Sequence, residues 1–223
     1  MVKIENTVTP SQEWWMTVIM GARNPYDSWA KSDSYIDGLA DEDDKFENKL
    51  IIGPADERLL KSLAFAGDDH GKFMRMLPVI CEITAPLHLW KQISTYKVGT
   101  VEDSCSTMHR IVSNPFTVDD FSWEHTDEIV QENVLQHLNL LRRQYIDEED
   151  ADKRKEIWFK VIEFLPESYN QKRTWCGNYQ VLKHIYHARK GHKLKDWETI
   201  RSWIESLPYS YLITGKSVDE SDA

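Results

Sequence analysis

The sequence predicts an α+β fold in which a small, mostly antiparallel sheet packs against long helices within a single domain. Three observations carry this. The first half holds a short, β-branched apolar segment closed by proline, "MLPVICEITAP". The second half holds long segments with apolar residues at helical spacing. No internal repeat and no Gly-, Pro- or Ser-rich linker divides the 223 residues, and 41% hydrophobic content is enough to build a core.

Each element can be justified in chain order. "TPSQEWWMTVIMGAR" predicts a first helix over about 10–23, with Thr9 as N-cap, Pro10 at the first helical position and Gln12 completing a capping box. The polar, unpatterned residues that follow, including "DSWAKSDSYIDGLADEDD", predict a surface excursion. "ADERLLKSLAFAG" predicts a short helix ended by Gly67, and residues of about 78–84 a strand closed by Pro86. "LHLWKQISTYK" opens as an amphipathic helix on Leu87, Trp90 and Ile93, then breaks at Gly99 into small polar residues. "HTDEIVQENVLQHLNLLRRQYI" and "DADKRKEIWFKVIEFLP" predict two successive helices, the first patterned by Ile129, Val134, Leu135, Leu138 and Leu141, the second stopped by Pro166. A third helix is expected over about 171–189 and a fourth in "LKDWETIRSWIESLP". The acidic residues 216–223 are expected to be a disordered tail.

A formal net charge of -10 argues against general affinity for nucleic-acid backbones. Acid collects in residues 37–47 and 147–153, while "KHIYHARKGHKLK" at 183–195 concentrates Lys, Arg and His. Such a stretch is either a solvated helix face or a pocket for a small anion. No charged leader with an apolar run opens the chain and no apolar stretch reaches the length of a membrane span, so a soluble, cytoplasmic protein without membrane partners is expected. Cys81, Cys105 and Cys176 are odd in number and lack ligand spacing, so neither a disulfide framework nor a metal site is expected.

The helix-to-loop segment and the last two helices together resemble the flavin-dependent thymidylate synthases. In that family an early helix ends in an Ala-Arg pair followed by Ser, as in "GARNPYDS", and a His-containing turn precedes a strand, as in "GDDHGKFMRMLPVICEI". The family signature R-H-R, seven residues, Ser falls, counting from Gln92, on Thr95, Tyr96, Lys97 and Cys105. The family's closing succession is matched by Leu165, Pro166, Tyr169, Trp175, Asn178, Leu182, Arg189, His192, Trp197, Glu198 and Ile200. The departures are specific: Thr95 and Lys97 replace both signature arginines and Tyr96 its His, while Thr107 and Gln180 stand where the family has further arginines and Ile162 where it has another basic contact.

The resemblance implies reductive methylation of dUMP to dTMP, with FAD as cofactor, methylenetetrahydrofolate as carbon donor and NADPH as reductant, in a homotetramer formed by a domain of residues 1–215. It implies FAD contacts at His70, Lys72, Thr95, Tyr96, Lys97, Asp103, Asn178, Gln180 and His184. It implies substrate contacts at Gln92, Asp103, Ser104, Cys105, Ser106, Thr107 and Arg189, with Arg189 also the catalytic residue. The hydroxyls and unhindered amides after Gly99 suit a phosphate or diphosphate. Arg189 would polarise the uracil through a guanidinium fork; at a helix end it could equally serve the helix dipole. Cys105 reads as a binding residue in place of Ser, or as a buried small hydrophobe, before it reads as a nucleophile. Two other functions stay open: a different C5 modification such as hydroxymethylation, and a non-catalytic binding or assembly role.

Overall fold

The computed structural model describes residues 2–40 and 46–216, without the side chains of 39, 40, 46–48, 108 and 109. The expected tail lies outside the described residues from 217 onward, as does part of the acidic run at 37–47. The α+β class is what the chain adopts. Strands β1 (Lys3–Val8), β4 (Pro78–Pro86), β5 (Val101–Ser104) and β6 (Asn170–Asn178) form a sheet in the order β1-β4-β6-β5. Strands β2 (Tyr35–Ala40) and β3 (Phe46–Ile51) form an antiparallel pair in which Tyr35 faces Ile51 and Ala40 faces Phe46. The helices are α1 (Gln12–Ala22), α2 (Pro54–Phe65), α3 (Leu87–Ile93), α4 (Thr107–Arg110), α5 (Glu128–Asp147), α6 (Ala151–Phe164), α7 (Tyr179–Ala188), α8 (Asp196–Glu205) and α9 (Tyr211–Thr214). Among the described residues no helix is long and apolar enough to cross a membrane.

The chain divides into two compact units, each assembled from three separated stretches. The first, residues 1–5, 82–95 and 102–174, contains the antiparallel pair α5 and α6. Leu138 and Leu141, one turn apart on α5, and Val161 on α6 bury against Ile111, Val112, Phe116 and Phe121. Asn139 fastens the incoming loop to α5, its side chain accepting from the Phe116 amide at 2.9 Å and donating to the Phe116 carbonyl at 2.8 Å. Asp150 caps α6 by accepting from the Asp152 and Lys153 amides.

The second unit comprises residues 6–81, 96–101 and 175–223. Trp15, Val18, Ile19 and Ala22 stand at i, i+3, i+4 and i+7 and bury one stripe of α1. Trp15 meets Tyr179 edge-on, with ring centroids 5.2 Å apart. Below α1, the Arg23 guanidinium and the Asp56 carboxylate form an ion pair of 2.5 Å with both side chains removed from solvent. Asp56 also accepts from the Ser32 and Ser34 hydroxyls, each at 2.7 Å, and from the Asp33 and Ser34 amides. Burial alone would raise the Asp56 carboxyl, but the bonds from Ser34, Ser32, Arg23 and the Asp33 amide outweigh it and hold it at about 2.

Three sequence expectations are corrected. The N-cap of α1 is Ser11, which accepts from the Trp14 amide, while Pro10 lies before the helix and the Gln12 side chain accepts from the Leu50 amide at 2.9 Å. Part of the polar excursion is the β2 and β3 pair, whose backbone groups find partners across the two strands. The third helix begins at Tyr179, not near 171: Gln171, Trp175 and Gly177 alternate inward, so residues 170–178 form β6.

Candidate functional site

Arg189 sits at the C-cap of α7, where its amide donates to the Ile185 carbonyl at 3.0 Å. Its side chain turns into an aromatic clamp. Nε donates to the Tyr96 hydroxyl at 2.9 Å, and the guanidinium lies 4.5 Å from the ring centroid of buried Trp197 and 5.4 Å from that of Tyr96. Tyr96 meets Trp197 edge-on at 6.4 Å, and His192 meets Trp197 edge-on at 6.2 Å. A planar cation held by a directed bond to Tyr96 and set against two rings keeps its orientation, which is what recognition of a heterocycle edge needs.

The same unit carries the remaining residues expected around the C-terminal helices. Asn178 caps α7, its Oδ1 accepting from the Val181 amide at 3.0 Å, while Nδ2 lies 3.5 Å from the Gly99 carbonyl. Gly99 adopts φ +80°, and a Cβ there would stand 2.8 Å from Asn178 Nδ2. Gln180 is buried; its Nε2 donates to Asp68 Oδ1 at 2.8 Å and lies 3.1 Å from His184 Nε2. Asp68 also pairs with His184 at 3.1 Å, and that hydrogen bond is the main reason its carboxyl is lowered. Because a carboxylate only accepts, the Gln180 amide nitrogen must face Asp68, and this leaves Oε1 buried with no protein partner. His70 and Lys72 are exposed at the 3-10 turn Gly71–Met76, and Lys97 is exposed beside Tyr96.

The first unit holds the small polar run. Cys105, Ser106, Thr107, Arg110, Gln171 and Lys172 line a cleft of about 360 Å³ whose rim also includes Tyr169, Asp119 and Asp120. Burial above all pushes the Tyr169 phenol up, with Asp120 and Cys105 adding to it, so its hydroxyl stays protonated at neutral pH. Arg110 is exposed, and Lys172 pairs with Glu82 at 2.7 Å. Asp103 and Ser104 are exposed on β5 and do not line this cleft; nor does Thr95, whose hydroxyl donates to the Gln92 carbonyl at the end of α3. Arg189 belongs to the other unit.

Sequence reasoning singled out Arg110, with His109 and Lys91, as a substitute charge for the missing arginines, and missed Asp68, Gln171 and Arg173. Gln171 and Arg173 fall in the 171–189 stretch that reads as one helix, and the inward alternation of Gln171, Trp175 and Gly177 shows only in the structure. Asp68 sits in the quoted "GDDHGK" stretch and carries no periodicity of its own.

No protein-family model and no curated protein matches this sequence. Among solved structures the chain is similar to the flavin-dependent thymidylate synthase ThyX from Helicobacter pylori complexed with FAD and dUMP, at 15% identity and a TM-score of 0.67, covering 96% of this chain and 98% of that one. A second structure of thymidylate synthase X from Helicobacter pylori with FAD and dUMP gives 14% identity and a TM-score of 0.66, covering 96% and 97%. The UMP/dUMP methylase PolB from Streptomyces cacaoi, bound with 5-Br dUMP, gives 12% identity and a TM-score of 0.53, covering 92% and 88%. Nearly the whole chain therefore shares the fold of the flavin-dependent thymidylate synthases.

Proposed function

We propose that this chain is a flavin-dependent enzyme that methylates dUMP at uracil C5 to give dTMP, using FAD, methylenetetrahydrofolate as carbon donor and NADPH as reductant, with residues 1–215 acting as one domain. The observation that carries this reading is the contact between Arg189 and Tyr96, two positions matched independently to the family from opposite halves of the sequence. The fold shared with enzymes solved with dUMP or its analogue supports the substrate class.

The residues present fit FAD. Gln180 offers a buried carbonyl oxygen without a protein partner, and Gly71 keeps the space beside it open, since a Cβ there would stand 2.9 Å from that oxygen. His70, Lys72, Thr95, Tyr96, Lys97, Asp103, Asn178, Gln180 and His184 would hold the cofactor, with fewer charges than the family signature supplies. When bound, FAD supplies the hydride chemistry. Arg189 orients the uracil edge and stabilises negative charge as it develops on the ring, a task for which its clamp preorganises it. Cys105, Ser106 and Thr107 cradle the nucleotide, and Arg110 supplies a cation where signature arginines are missing. Gln92, Asp103 and Ser104, outside the lining of that cleft, complete the substrate set that the resemblance implies.

We place the enzyme in the cytoplasm as a homotetramer. Ile129, Leu140, Ile146, Phe159 and Phe164 on α5 and α6 are exposed apolar side chains that a second copy would cover. Titrating FAD into purified protein, followed by product analysis with dUMP, tests the proposal. A yellow complex that forms dTMP is expected; folded protein that stays colourless and shows no flavin fluorescence change overturns it, and a hydroxymethylated product corrects the reaction.

A further inference from the structure

We infer that Arg173 and Gln171 are positioning residues that fix the peptide at Cys105 and thereby shape the proposed phosphate cradle; this rests on reading the cleft as the dUMP site. Arg173 lies on β6 with its guanidinium 4.4 Å from the Trp90 ring centroid. Nη1 pairs with Glu102 on β5 at 2.5 Å, and both side chains are about four-fifths buried. Nε and Nη2 both donate to Gln171 Oε1, at 3.0 and 2.8 Å. Glu102 already neutralises this arginine, so it is not the cation that meets a phosphate.

Its effect passes through Gln171. A guanidinium only donates, so the Gln171 amide must turn its oxygen toward Arg173 and its nitrogen the other way. That nitrogen donates to the Cys105 carbonyl at 2.8 Å, while the Cys105 amide donates to the Lys172 carbonyl at 3.0 Å. The Gln171 carbonyl in turn accepts from Trp90 Nε1 at 2.8 Å. Both peptide groups of Cys105 are thus tied to β6, and Ser106 and Thr107 leave that fixed point to line the cleft. A largely buried ionic network adds little stability over apolar packing of the same volume, whereas it does select one conformation of the loop it holds.

The test uses Arg173→Met and, as a variant that preserves shape, Gln171→Glu, which keeps an acceptor for Arg173 and has no N–H for the Cys105 carbonyl. Hydrogen exchange at the Cys105 amide and the affinities for dUMP and deoxyuridine are measured in the full chain with FAD. The inference predicts exchange about tenfold faster and dUMP bound about tenfold more weakly, with deoxyuridine affinity unchanged. Unaltered exchange in the Gln171→Glu variant overturns the relay. Equal losses for dUMP and deoxyuridine overturn its link to the phosphate. If the wild type fails to prefer dUMP over deoxyuridine while exchange still responds, the substrate reading fails and the inferred ligand is overturned with it.

Discussion

The Nε of Arg189 donates a 2.9 Å hydrogen bond to the hydroxyl of Tyr96, joining the end of α7 to a residue 93 positions earlier in the chain. The family places a histidine where Tyr96 stands. A phenol at this point both accepts from the guanidinium and gives it a ring to lie against, 5.4 Å from the centroid.

Tyr96→Phe keeps the ring and removes the acceptor. Losing one hydrogen bond to a charged group predicts a fall of about tenfold in kcat/KM for dUMP, with thermal stability changed by less than about 1 kcal/mol. Steady-state kinetics beside a thermal melt checks both. An unchanged kcat/KM would show that the bond plays no part in turnover.

Cys105 is exposed, whereas Cys81 is buried with its thiol pushed up to about 12, chiefly by burial. A thiol reagent is therefore expected to modify Cys105 well before Cys81 and to block dUMP binding. Because Cys105 is assigned to binding, Cys105→Ser should keep turnover within about threefold of wild type. Complete loss of turnover in that variant would make the thiol a nucleophile.

The Arg23 and Asp56 pair yields a stability prediction. Asp56→Asn leaves a buried arginine without its counter-charge and is expected to cost roughly 3 to 5 kcal/mol in chemical denaturation. The folded Asp56 carboxyl is held at about 2, below its ordinary 3.8. Its contribution is therefore complete above about pH 4 and is lost as pH falls toward 2. The stability gap between wild type and Asp56→Asn should narrow across that window; a gap that stays constant would contradict the assignment.

How much of this was legible in the sequence depends on which signal each element relied on. Helices α2, α5, α6 and α8 and strand β4 carry apolar periodicity or proline boundaries, and the structure has them where the pattern placed them. The β2 and β3 pair sets Ile36, Leu39, Phe46, Leu50 and Ile51 among charged and amide residues with no regular alternation, so its cross-strand pairing is not marked by a hydropathy pattern. Residues 171–178 were misread because Gln, Lys and Arg favour helices while the inward Gln171, Trp175 and Gly177 mark a strand, and the apolar pattern of α7 follows without a break. In the proposed site, order and spacing single out Arg189 and Tyr96, and the structure sets the two in contact. Asp68 and Arg173 were not legible, because each acts by holding another side chain, and such partners are set by tertiary contact.

The central claim is that Arg189 activates the uracil, and dUMP-dependent oxidation of the reduced flavin in Arg189→Lys tests it most directly. Lysine keeps the charge and loses the planar fork, the Tyr96 bond geometry and the stacking on Trp197. The account predicts a folded variant that still binds FAD and oxidises flavin at least about a hundredfold more slowly, since a preorganised charge-stabilising donor is worth roughly 3 to 4 kcal/mol. Flavin oxidation at the wild-type rate in Arg189→Lys would contradict it and reduce Arg189 to a helix-end charge.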